Sequence, residues 1–126
     1  MKLTDIAAVF IGAGIGGTLR FVLGGWMAER WGTSFPWHTL VINVSGAFLL
    51  GVLMAFAVDR GLVSPEVRIF FGVGVLGGFT TFSTLSYESI ALIEEGLVLQ
   101  GLANMFGSGI LGMAAAVIGV FVGRTI

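Results

Sequence analysis

The chain has no cysteine, a single histidine, two prolines and few charged side chains, which make up only 10% of its residues. Without thiols it forms no disulfide and holds no metal through thiolates. One imidazole and no cluster of carboxylates leave nucleophilic, metal-assisted and acid–base catalysis without a set of partners. A formal charge of −1 offers nothing to the phosphates of a nucleic acid. An ordinary soluble domain is about one-quarter charged, so a composition that is 56% hydrophobic and a mean hydropathy of +1.04 read as an integral membrane protein.

Four nearly uncharged runs are present: 6–28, interrupted only by Arg20, then about 39–58, 67–87 and 96–123. Each reaches the length of about 20 residues that a helix needs to cross the hydrocarbon. The pieces between them are too short to be domains, so residues 1–126 read as one all-α domain of four transmembrane helices. Trp26, Trp31 and Trp37 gather around the first connector, where indoles prefer the headgroup level. Ser64-Pro65-Glu66 has the form of an N-cap and first turn opening the third helix. Met1-Lys2-Leu3 leads into a glycine-rich run with no A-x-A-like cleavage site, so the first helix is expected to be retained. If both termini share a side, that side holds Lys2, Arg60, Arg68 and Arg124 against Arg30 on the other, a modest bias toward cytoplasmic termini.

Gly12-Ala13-Gly14-Ile15-Gly16-Gly17 satisfies G-x-G-x-x-G, but the surrounding βαβ unit and the later acidic residue of a dinucleotide site are missing. Gly12 and Gly16, Gly74 and Gly78, and Gly119 and Gly123 read instead as small-xxx-small faces on which neighbouring helices approach closely. Arg20 is the only full charge well inside a span; it serves either as a cap on carbonyls or lipid phosphate near the interface, or as an attractor of anions. Thr39 and Asn43 share a face of the second helix, and the Asn43 amide can join two helices or donate to an anion. Glu88 and His38 read most simply as interfacial side chains.

The third run is different in kind. Gly77-Gly78 weakens the helix near its middle, where a break exposes carbonyls to a cation or amides to an anion. Thr80, Thr81, Ser83, Thr84 and Ser86 follow, distributed around the helix so that some must meet protein, water or an ion rather than lipid. Phe79 and Phe82 are interleaved with them, and the positive edge of a Phe ring attracts a small anion without the grip of a fixed cation. Sites of that strength suit conduction, which needs binding weak enough to release. In the fourth run Asn104, Ser108 and Gly112 form a polar or small stripe able to line the same path.

The run Gly77-Gly78-Phe79-Thr80-Thr81-Phe82-Ser83-Thr84, with Gly16-Gly17-Thr18-Leu19-Arg20 and Asn43, resembles the small bacterial fluoride channels, the Fluc or CrcB family, over essentially the whole chain. The resemblance implies a multi-pass protein of the cell inner membrane that passively exports cytoplasmic fluoride, and no enzyme. It further implies an antiparallel, dual-topology homodimer with two narrow pores in the lipid bilayer, and a structural sodium ion (Na+) at the third-helix break. Carried over by position, Asn43 is a pore donor and Phe82 an aromatic-box residue. Thr80, Thr81, Ser83, Thr84 and Ser108 line or support the fluoride path, the backbone carbonyls of Gly77 and Thr80 hold the sodium, and Arg20 matches the first-helix arginine. Three positions depart from the family pattern: Leu85 in place of a second box phenylalanine, Asn104 in place of an aromatic hydroxyl, and Gly112 in place of a serine. The alternative is a small multidrug-resistance-type cation/proton antiporter, also a four-helix chain. That chemistry needs a carboxylate embedded in the first helix, and this one has Arg20 instead.

Overall fold

A computed structural model describes residues 1–126, and it is all helical, with four helices long and apolar enough to cross a membrane. They are α1 (Leu3–Trp31), α2 (Trp37–Asp59), α3 (Pro65–Glu94) and α4 (Val98–Thr125). Each of the three connectors contains a glycine at positive φ, Gly32 at 77°, Gly61 at 61° and Gly96 at 86°, a region that L side chains rarely enter. Ser64 caps α3 as its sequence suggests, its Oγ accepting from the Val67 amide at 3.3 Å.

The helices pack as two glycine-mediated pairs. Between α1 and α3, Gly12 lies against Gly74 and the Phe70 carbonyl, and a Cβ on Gly78 would stand 2.6 Å from the Ala13 carbonyl oxygen. Between α4 and α2, Gly119 meets the Phe48 carbonyl and Gly123 meets Val52 and Ala55. All three small-xxx-small faces are therefore used, and each brings backbone against backbone, where packing rather than hydrophobic exclusion holds membrane helices together. At one end of the α2–α4 pair Arg124 Nε donates to Asp59 Oδ2 at 2.8 Å, and Arg60 donates to the Gly123 carbonyl at 3.2 Å.

The third helix departs from its sequence reading in two ways. It is not unwound at the glycine pair: Gly77 keeps helical angles, φ −63° and ψ −39°, and Gly78 serves contact with α1 instead. The chain becomes extended at Thr80 (φ −82°, ψ 157°) and Thr81 (φ −152°, ψ 119°), where β-branched residues sit comfortably, and a second half, Phe82–Glu94, follows. That half continues beyond Tyr87 to Glu94, so Glu88 is a mid-helix residue and not the end of a span.

Candidate functional site

The break in α3 is shaped by side chains from α1 and α2. A helix that stops leaves its last carbonyls and the next helix's first amides without internal partners. The Thr80 amide still closes on the Leu76 carbonyl at 3.0 Å, and the Thr80 hydroxyl donates to the same oxygen at 3.0 Å. The Thr81 amide, which would normally close on Gly77, donates to Asn43 Oδ1 at 2.8 Å, while Asn43 Nδ2 donates to the Thr81 carbonyl at 2.9 Å. The Asn43 carboxamide thus replaces a strand neighbour, meeting both polar groups of one extended residue. Arg20 Nε donates to the Gly78 carbonyl at 3.2 Å, a charge-assisted cap at the negative end of the first half-helix. Thr81 Oγ1 caps the second half by accepting from the Thr84 amide at 3.2 Å.

Asn43 and Gly46 are three apart on α2, and both face the break. A Cβ on Gly46 would collide with Thr80 Cγ2, so only glycine lets α2 approach the extended segment. Sequence reasoning missed Gly46, and its signal was spacing: a glycine one turn after the lone amide of the span.

Three hollows converge on this point. One is an open groove of about 800 Å³ between α2, the second half of α3 and α4, lined by Asn43, Phe82, Leu85, Ser108 and Met113 among others. A second, of about 310 Å³, is bounded by Asn43, Gly46, Gly77, Thr80 and Thr81. The third, of about 250 Å³, is the polar one, with Arg20, His38, Thr39, Thr81 and Thr84 on its walls. Asn43 borders the first two and Thr81 the last two, so their paired amides form the partition between a polar vestibule and an apolar groove.

The residues expected from the sequence do come together here, in differing states. Asn43 spends one N–H on Thr81 and has a second left over on the groove side. Ser108 is buried, its Oγ has no partner, and it lies on the groove. Phe82 is 71% exposed, pointing out of the single chain, whereas Leu85 is only 6% exposed beneath it. Thr84 Oγ1 accepts from Thr81 Oγ1 at 3.1 Å and keeps its own proton for the vestibule. Ser83 is exposed beside Thr81. Thr80 has given its hydroxyl proton to Leu76, so it keeps no side-chain donor for an anion, and its carbonyl accepts no hydrogen bond.

Glu88 and His38, read as interfacial side chains, face each other. Glu88 Oε1 accepts from Thr39 Oγ1 at 2.6 Å and its other oxygen lies 3.5 Å from His38 Nε2. The extension of α3 past Tyr87 is the cause, because it places Glu88 two turns after Thr81 on the same face, opposite Thr39 and Asn43 one turn apart on α2. Asn104 does not line the groove: it is 1% exposed and its Nδ2 donates to Ser89 Oγ at 3.0 Å, joining α4 to α3. Nothing stands within 4 Å of a Cβ built on Gly112.

A family model described as CrcB-like protein, Camphor Resistance (CrcB), matches residues 7–120. The chain belongs to the CrcB family. Its relatives in that family include a protein of Rhizobium meliloti that is 44% identical over 118 residues, 94% of each chain. One from Thermus thermophilus is 45% identical over 91% of this chain and 90% of its own. Another, from Aquifex aeolicus, is 42% identical over 96% of this chain and 98% of its own. All three are named fluoride-specific ion channel FluC. The broken third helix, its Asn43 clamp and the Arg20 cap all lie inside the matched CrcB region.

Proposed function

We propose that this CrcB-family chain is a fluoride-specific channel of the cell inner membrane that lets fluoride leave the cytoplasm passively, working as an antiparallel homodimer. The observation that carries the reading is the partition at Asn43 and Thr81, where unused donors meet from both sides. Arg20 and the Thr84 hydroxyl give the vestibule an attraction for an anion. Beyond the partition the second Asn43 N–H and the Ser108 hydroxyl offer single hydrogen bonds, and the Phe82 ring offers an edge. Fluoride is small and strongly hydrated, and a row of separate weak donors replaces its water in stages without trapping it. The CrcB-family relatives of this chain are named as ion channels, which supports reading it as a channel and not an enzyme.

The homodimer is supported by what a single chain leaves open. Only 20 of 126 residues are buried, and the groove beside Phe82 has no outer wall. A second copy supplies that wall, and antiparallel pairing gives the inverted symmetry that larger transporters build from internal repeats. The residues at the break also fit a sodium ion. The Gly77 carbonyl has lost its usual amide to Asn43, the Thr80 carbonyl accepts no hydrogen bond, and carbonyl oxygens at a helix C-terminus suit a hard cation. Those two carbonyls would hold it, and its charge would steady the break beside the anion path.

Purified protein in liposomes loaded with fluoride tests the reading: efflux measured with a fluoride electrode is expected, with none of chloride under the same gradient. Replacing sodium by a large organic cation throughout is expected to slow that efflux. Liposomes that hold their fluoride in both conditions would overturn the channel reading.

A further inference from the structure

The polar vestibule ends in a titratable pair that conduction through the partition does not use. Glu88 on α3 receives the Thr39 proton at 2.6 Å and faces His38 Nε2 at 3.5 Å, both side chains being about one-fifth exposed. His38 and Thr39 line the vestibule together with Arg20 and Thr84, so the imidazole, with Glu88 behind it, stands beside the approach to the partition from this side. His38 Nδ1 is buried and has no partner, and the neighbouring face of α1 is Gly24, which offers it none. The charged groups facing this point are few. From α1 it is Arg20; from α3 it is Glu88; α4 contributes none, since its only charge, Arg124, is tied to Asp59. Glu29 and Arg30 lie in the exposed last turn of α1, with Arg30 stacked on Trp26 at 4.7 Å.

Resting on the fluoride-channel reading, we propose that His38 is a positioning residue that makes fluoride access to this vestibule depend on pH, by setting the net charge of the His38–Glu88 pair. With a neutral imidazole the pair carries one negative charge, and Thr39, its proton committed to Glu88, presents no donor. With a protonated imidazole the pair is neutral, and Arg20 acts on the anion unopposed. Histidine is the side chain whose charge ordinarily changes between about pH 5 and 8. A unit charge at about 7 Å in a water-like dielectric changes the local anion concentration about two- to threefold.

The test is single-channel fluoride current in planar bilayers with both baths at pH 8 and then at pH 6, fluoride held below saturation. Bilayers without protein control for neutral hydrogen fluoride. The parent is expected to carry about two- to threefold more current at pH 6. His38→Gln, which keeps a donor to Glu88 but cannot charge, is expected to flatten that ratio to one, whereas Glu88→Gln, which removes a negative charge at both pH values while His38 still charges, is expected to raise the current at pH 8 and keep a pH ratio. A His38→Gln channel with the parental ratio, or a parent with no pH dependence, overturns the proposal and leaves the channel reading intact. A parent with no fluoride current at either pH overturns both. If Glu88→Gln does not assemble, the His38→Gln ratio decides alone.

Discussion

Replacing Asn43 by alanine removes both hydrogen bonds that close the break in α3, the one from the Thr81 amide at 2.8 Å and the one to the Thr81 carbonyl at 2.9 Å. Both backbone groups are part-buried, and a donor or acceptor left without a partner in such a site costs about 1–3 kcal/mol. Thr81 is only part-buried and lines the open vestibule, so the lower part of that range applies, and the two losses together come to about 2–4 kcal/mol. For a chain of this size each kcal/mol moves the unfolding midpoint by about 3–6 °C. A fall of about 6–24 °C in detergent is therefore expected, with fluoride efflux reduced because the partition loses its shape. Asn43→Asp separates the clamp from the pore. It keeps the acceptor for the Thr81 amide but sets a carboxylate against the Thr81 carbonyl and in front of the anion, so efflux is expected to fall by about tenfold or more. Fluorimetric unfolding and electrode-based efflux on the same preparations check both. Alanine protein that melts and conducts like the parent would refute the clamp.

Other changes test separate contacts. Arg20→Gln loses the charge-assisted cap on Gly78, so fluoride efflux should drop severalfold, whereas Arg20→Lys, which keeps the charge but not the Nε geometry, should retain part of it. Gly78→Ala drives a methyl into the Ala13 carbonyl and should cost about 1–3 kcal/mol of stability, read as a lower unfolding midpoint. Ser89→Ala strands the buried Asn104 amide, whose Oδ1 already lacks a partner, and should destabilise by a similar amount with little change in ion selectivity. Because the chain has no cysteine, Thr33→Cys in the first connector gives a clean topology probe. Dual insertion predicts labelling by an impermeant maleimide from both faces of the membrane, and labelling from one face only would refute it.

The four spans, the glycine-lined contacts and the Ser64 cap were legible in the sequence because each depends on local composition or on spacing within one helix. The broken third helix was legible as a fact but misplaced. Gly77-Gly78 looks like the weak point on propensity, yet close approach to Ala13 holds it helical, and the opening falls on Thr80 and Thr81, where Asn43 from another helix takes over the backbone bonds. No pattern within α3 carries that information. Glu88 was misread for the same reason: its partners, Thr39 and His38, lie about 50 residues away in the chain. Asn104 looked like part of a polar stripe along α4, but its neighbour Ser89 across the α3–α4 contact turns it inward.

The central claim is that fluoride, and not chloride, crosses at the Asn43–Thr81 partition. Its most direct test is the reversal potential of the reconstituted protein in a planar bilayer with fluoride on one side and an equal concentration of chloride on the other. The account predicts a fluoride current that does not reverse at any accessible voltage, and its suppression by Asn43→Asp. A reversal potential near zero, or a current that Asn43→Asp leaves untouched, would contradict it.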